Sequence, residues 1–195
     1  MLFLKKSFYF LRHGETDWNT EQRIMGQTDI PLNNQGILQA QTVAEKIATL
    51  PVDLIIVSPL KRAKITAEIV NNTIHRPIII EDNIQERCWG IMEGKKKGDC
   101  SYNGIPFEPE KWVHEGIVPS GAESFSQFSD RVTTAVTQHL TTHQNILFVS
   151  HGGVIMALLK AVDRLPSQNI KNTGLYHFIV PEPGQTTWNI DILND

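Results

Sequence analysis

The sequence predicts an α/β domain, a three-layer α/β/α sandwich built on a mainly parallel sheet, and three observations point to it. Apolar, β-branched runs recur at Ser7–Leu11, Leu54–Val57, Pro77–Ile80, Asn145–Val149 and Leu175–Val180, with a weaker alternating run at Thr187–Leu193. Helical spacing of apolar residues fills most of the gaps between them, and strands alternating with helices give a parallel sheet covered on both faces. The length, 195 residues without an internal repeat or low-complexity linker, suits one core, so residues 1–195 are expected to form a single domain.

The elements follow in order. The first strand, Ser7–Leu11, stops at Arg12-His13-Gly14, a cation, an imidazole and a residue without a side chain. After the turn-like Asn33-Asn34, Ile37, Ala40, Val43, Ala44, Ile47 and Ala48 lie on one helical face. The second strand leads into Leu60, Ala63, Ala67 and Val70, another helical face, with Ser58 expected as N-cap and Pro59 at the first helical position. Phe125, Phe128, Val132, Ala135 and Val136 form a third face, and Val154 to Val162 a fourth. The stretch 94–121 breaks the rhythm, with three prolines, Lys95-Lys96-Lys97 and scattered Tyr102, Phe107 and Trp112. An irregular excursion of that length is expected either to close over a site as a lid or to form a solvated loop with a short helix near Glu108–His114.

Bulk composition excludes several functions. Net charge is −3, from 18 basic and 21 acidic residues, so no basic footprint points to nucleic acid, and an anionic ligand must be drawn by a local cluster of cations. Two cysteines, Cys88 and Cys100, make neither a disulfide framework nor a zinc pattern, which suits a reducing compartment. The start, Met1 to Phe10, has no apolar stretch long enough for a signal peptide, and no run approaches a membrane span. A cytoplasmic protein acting on a small molecule is expected, without nucleic-acid or membrane partners, as a monomer or homodimer.

Chemistry-bearing residues collect at strand ends. Arg12 and His13 follow the first strand, Arg62 is expected about one turn into the helix after the second, Glu86 comes after the third, and His151 ends the run Ile146–Ser150 before Gly152-Gly153. In open α/β sheets, ligands bind outside the carboxyl ends of the strands, so these distant segments are expected to converge. The set suits phosphoryl transfer. A guanidinium grips two phosphate oxygens, and a neutral imidazole attacks phosphorus. The amides that open a helix at Gly152 and Gly153 favour an anion. Glu86 is the acid placed to give a proton to the leaving oxygen and later to take one from water. Singly, each has an ordinary alternative: Arg62 on a solvated helix face, Glu86 paired with Arg87, His151 packed at a strand end. A metal site would also use two histidines and a carboxylate, but the adjacent Arg12 and Arg62 would repel the ion. His75, His114, His139, His143 and His177 lack a partner pattern. Lys95–Lys97 reads as a solvated face, with contact to a second anionic group as the alternative.

Leu11-Arg12-His13-Gly14-Glu15-Thr16 with Trp18-Asn19, then Gly26-Gln27-Thr28-Asp29-Ile30-Pro31-Leu32, Ser58-Pro59-Leu60-Lys61-Arg62-Ala63, Glu86 with Gly90 and Glu93-Gly94, and Ser150-His151-Gly152 closely resemble, in order, the signature of the histidine phosphatase superfamily, the phosphoglycerate mutase-like family. The resemblance spans most of the chain. It implies the phosphoglycerate mutase-like fold and a phosphohistidine intermediate on His13. It also implies a phosphate pocket of Arg12, Arg62 and His151, and Glu86 as proton donor. Thr16, Asn19, Gly26, Gln27 and Gly152 match positions at the substrate, and no metal or organic cofactor is implied.

The branch is read from Glu86-Arg87-Cys88-Trp89-Gly90-Ile91-Met92-Glu93-Gly94 and the short spacing from His13 to His151. Mutases of the family carry a longer basic insertion before the second histidine and an Arg-His-Tyr-Gly-like run after the acid. The present run resembles the phosphatase branch, so hydrolysis of a small phosphorylated metabolite is expected. A phosphoglycerate mutase, a sugar-bisphosphate or α-ribazole-type phosphatase, and a non-catalytic phosphate-binding module are the alternatives.

Overall fold

The computed structural model describes residues 5–164 and 170–194. In chain order the elements are β1 (Phe8–Arg12), α1 (Asp17–Thr20), α2 (Asn34–Ile47), β2 (Leu54–Val57), α3 (Lys61–Ile74), β3 (Ile78–Ile80), β4 (Ser101–Tyr102), β5 (Ile105–Pro106), α4 (Pro109–His114), α5 (Phe125–Thr142), β6 (Ile146–Ser150), α6 (Gly152–Ala161), β7 (Leu175–Ile179) and β8 (Asn189–Ile192). Six strands form one sheet in the order β3-β2-β6-β1-β7-β8. The first four of that order run parallel, while β7 and β8 are antiparallel additions. All six runs foreseen from the sequence are strands of this sheet.

The two faces are covered separately, as period-two alternation in the central strands requires. Phe8, Phe10, Ile56 and Phe148 pack on one side with Phe128, Val132 and Val136 of α5 and Val154, Ile155 and Leu158 of α6. Tyr9, Leu11, Ile55, Val57, Leu147 and Val149 pack on the other with Val43, Ala44 and Ile47 of α2 and Ala63, Ala67 and Val70 of α3. Both faces of β1, β2 and β6 are thus apolar, which is why their sequences read as unbroken runs.

Two expectations are corrected. Helix α3 begins at Lys61 with Leu60 as N-cap, so Ser58 is not its cap and Pro59 lies before its first turn. Arg62 is consequently the second helical residue, not one turn in. The stretch 94–121 carries the short helix expected near Glu108–His114. It holds the hairpin β4–β5 and the short helix α4, around a small core of Ile24, Met92, Cys100 and Trp112. Trp112 is fully buried there, with its indole N–H donating to the Pro106 carbonyl at 2.8 Å and Phe107 edge-on at 5.0 Å.

Candidate active site

Parallel β1 and β6 are neighbours in register, Arg12 opposite Ser150, so the residues just past their ends emerge side by side. His13 and His151 lie there with ring centroids 5.2 Å apart, both buried. The Nδ1–H of His13 donates to the Gly14 carbonyl at 2.7 Å, which leaves Nε2 as the ring atom with a free lone pair. Gly14 is required by packing: a Cβ there would stand 2.4 Å from the Gly36 carbonyl at the start of α2.

The two guanidinium groups differ in how they are held. Arg62 is wholly buried; Nη1 donates to the Thr28 carbonyl at 2.9 Å, Nη2 to the Gly26 carbonyl at 2.7 Å, and Nε to His151 Nδ1 at 3.3 Å. Burial pushes its pKa down to about 10, against the pull of Glu86, so it stays a cation at neutral pH. Arg12 donates through Nη1 to the Ile170 carbonyl at 2.5 Å, while its buried Nε has no hydrogen-bond partner among the described residues. An unpaired buried charged donor is costly unless an anion meets it. Gly152 stands over this group: a Cβ there would be 3.6 Å from Arg12 Nε.

Both imidazoles have pKa values pushed well below the usual histidine range, first by burial, then by Arg62 and the other nearby charges. They are neutral at physiological pH. For His13 this is the nucleophilic form. His151 has both nitrogens engaged, because Nδ1 accepts from Arg62 and Nε2 therefore carries the proton that it gives to Ser58 Oγ at 2.7 Å. Ser58 is fully buried, a partner that the sequence reading had assigned only to a helix cap.

Glu86 is held by backbone amides, with Oε1 accepting from the Arg87 N–H at 2.8 Å and Oε2 from the Gly153 N–H at 3.0 Å. The amide of Gly153, expected to face an anionic ligand, is thus used to place the carboxylate. Gly153 leaves no room for a side chain, since a Cβ would stand 2.0 Å from Glu86 Oε1. The other matched positions mostly build the walls. Thr16 caps α1, its hydroxyl reaching Asn19 Oδ1, which also accepts from Asn172 Nδ2 at 3.2 Å. Gly26 presents its carbonyl to Arg62 at φ +54°, where a Cβ would collide with Glu93. Gln27 donates to the Glu86 carbonyl at 3.2 Å.

Sequence reasoning gave no role to Glu93 or Arg131 and left Lys97 between a solvated face and contact with an anionic group. Glu93 accepts from the amides of Gln27, Thr28 and Trp89 and from the Thr28 hydroxyl, pinning the loop that holds Arg62. The Glu93-Gly94 pair was its only signal. Arg131 pairs with Glu123 at 2.6 Å and donates to the carbonyls of Asn83, Gln85 and Glu86, fastening the segment that carries the acid. Lys97 is exposed as a residue, and burial and the charge of Arg12 lower its pKa while Glu86 raises it. Among the described residues, no three of His, Cys, Asp and Glu are grouped to hold a metal ion, and no helix is long and apolar enough to cross a membrane.

Residues 8–195 match the model of the histidine phosphatase superfamily (branch 1). Among curated proteins, the chain is 37% identical over 190 residues to the uncharacterized phosphatase PhoE of Bacillus subtilis (strain 168), covering 94% of this chain and 92% of the relative. It is 35% identical over 168 residues to the probable phosphoglycerate mutase GpmB of Salmonella choleraesuis (strain SC-B67), covering 82% and 75% respectively. Among solved structures, Bacillus stearothermophilus YhfR superposes with a TM-score of 0.80 at 27% identity, covering 96% of each chain. A mycobacterial glucosyl-3-phosphoglycerate phosphatase superposes with a TM-score of 0.84, covering 97% of this chain and 99% of that one; at 24% identity that likeness is one of fold. Two neutral histidines between two buried guanidiniums, on a sheet of this topology and with a family match over nearly the whole chain, lead to one conclusion: the protein belongs to the histidine phosphatase superfamily, branch 1.

Proposed function

We propose that the protein is a phosphomonoesterase acting on a small phosphorylated metabolite through a phosphohistidine on His13. The observation that carries this reading is the state of His13: buried, kept neutral by burial and by Arg62 and Arg12, with Nδ1 tied to Gly14 so that Nε2 is the free nucleophile. In the first step Nε2 attacks phosphorus, the bond to the leaving oxygen breaks, and Glu86 gives that oxygen its proton. In the second, water attacks the phosphohistidine, Glu86 takes the proton, and the P–N bond breaks to release phosphate. Arg12 and Arg62 stabilise the charge on the non-bridging oxygens throughout, a contribution of about 3–4 kcal/mol for each such group. His151 acts from behind, as the neutral acceptor that orients Arg62. Thr16, Asn19, Gly26, Gln27 and Gly152 shape the walls of the substrate pocket, and the 94–121 excursion brings Lys97 to its rim as a lid.

His13→Ala is expected to lower hydrolysis of an aryl phosphate by at least about 10³-fold while the protein stays folded. Retained turnover in that variant would remove His13 from the mechanism. Glu86→Gln should slow alkyl phosphates by about 10²-fold or more and activated aryl phosphates much less. An equal loss on both would take the acid role from Glu86. Likeness to a probable phosphoglycerate mutase, together with Lys97 at the rim, supports transfer between hydroxyls as a second reading. Incubation with 3-phosphoglycerate and catalytic bisphosphoglycerate separates the two, because 2-phosphoglycerate without free phosphate means transfer.

A further inference from the structure

Asn172, just before β7, ties the backbone of the nucleophile to the side chain of Asn19. Its Nδ2 donates to the His13 carbonyl at 3.2 Å and to Asn19 Oδ1 at 3.2 Å. The residues around it hold the same end of β1. The Ile170 carbonyl accepts from Arg12 Nη1, the Thr173 N–H donates to the His13 carbonyl at 3.2 Å, and the Gly174 carbonyl accepts from the Arg12 N–H at 3.1 Å. A segment near the end of the chain thus braces the start of the site.

The contact with Asn19 fixes which end of that amide is free. A backbone N–H can only donate, and a backbone carbonyl can only accept. The Thr16 N–H meets Asn19 at 3.1 Å, so the atom that it meets is the oxygen. The His13 carbonyl meets Asn172, so the atom presented there is the nitrogen. Neither amide can be turned over without breaking one of these bonds. Asn19 Oδ1 therefore takes the Thr16 N–H and the Asn172 N–H, with the Thr16 hydroxyl also at 3.1 Å. Its Nδ2 has no acceptor among the described residues. A half-buried amide that offers only donors suits an anionic oxygen. Thr16 alone is a weak anchor for it. Helix α1 has four residues, too few to be stable through its own hydrogen bonds, so the capping contact needs support from outside the helix.

We propose that Asn172 is a positioning residue of the phosphate site: it holds the Asn19 amide with its N–H groups turned to the phosphoryl oxygens, as a neutral donor beside the two guanidiniums. This role rests on the phosphoryl chemistry proposed for His13. Truncation of Asn172 leaves the His13 carbonyl with the Thr173 N–H, so the loss falls on Asn19.

Orthovanadate, a phosphate analogue, is the probe, with its affinity for the full-length protein measured by calorimetry and the fold checked by circular dichroism. Asn172→Ala and Asn19→Ala should each weaken binding by about tenfold, the loss of one hydrogen bond to an anion. The double variant should bind no more weakly than Asn19→Ala alone, because Asn172 acts through that amide. Asn172→Asp keeps the shape, removes the donor and adds a negative charge, and should weaken binding by about 100-fold. Losses that multiply in the double variant overturn the proposal, since they mean that Asn172 acts by another route. So does wild-type affinity in Asn19→Ala, in Asn172→Ala or in Asn172→Asp. A wild-type protein that does not bind orthovanadate removes the phosphate pocket itself, and this role with it.

Discussion

At the level of single residues, the site works by making neutral what is ordinarily half-charged. An imidazole in water is close to half protonated near pH 6.5, and the protonated form is no nucleophile. Burial of His13 between two guanidiniums removes that form. In the mechanism proposed above, the cations that bind phosphate therefore also prepare the group that attacks it. Ser58 is the least conspicuous member of this arrangement, fully buried and accepting a hydrogen bond from His151. Ser58→Ala leaves the Nε2–H of His151 buried without a partner and should cost about 1–3 kcal/mol of stability, read from urea unfolding at pH 7.5. It should also reduce turnover, because Arg62 takes its orientation partly from His151. A variant as stable and as active as wild type would show that the hydrogen bond is incidental.

At the level of elements, helix and strand ends do the placing. The first turn of α6 carries no ligand-facing side chain, yet its Gly153 amide holds the carboxylate of Glu86 from a different part of the chain. That contact depends on the missing side chain. Gly153→Ala would raise helix propensity by about 1 kcal/mol, so on local grounds it should stabilise α6. In the folded protein the added methyl displaces Glu86. The expected outcome is a folded enzyme that loses about 10²-fold on alkyl phosphates and keeps most of its rate on activated aryl esters. A uniform loss on both would mean that the methyl disturbs Arg12 or His13 instead. The 94–121 excursion obeys a different logic. Its sequence lacks periodicity because its elements are too short to show one, two residues for each strand and six for α4. Long-range contacts onto Trp112 supply its order, and these are invisible to any local window.

For the molecule as a whole, the histidines couple the site to acid stability. The folded-state pKa values of His13 and His151 lie well below 6.5, whereas in the unfolded chain both return to about that value. Above pH 6.5 neither state binds these protons, and they contribute nothing to the pH dependence. Below it, the unfolded chain binds protons that the folded protein refuses. Stability must therefore fall as the pH drops through 6, by up to about 1.4 kcal/mol per pH unit for each histidine. Urea unfolding between pH 8 and pH 5 measures this directly. A flat midpoint across that range would mean that the imidazoles are charged or solvated in the native state.

Most of the architecture could be read before folding was considered, for a definable reason. Strands buried on both faces leave continuous apolar runs, and amphipathic helices leave a 3.6-residue period, so β1, β2, β6, α2, α3 and α5 announce themselves locally. Arg12, His13, Arg62, Glu86 and His151 were legible because each follows a strand, and parallel strands send their carboxyl ends to one rim. Roles were less legible. Ser58 looks like a helix cap and Gly153 like a phosphate-facing amide. Each has another partner because a chain segment tens of residues away arrives beside it. Local chemistry thus dictates which groups are available and roughly where each strand ends. The pairing of Arg62 with His151, the tautomer of His151 and the seat of Glu86 arise only when the sheet closes. They depend on contacts between residues 67 to 93 positions apart, and no local preference of the backbone encodes those.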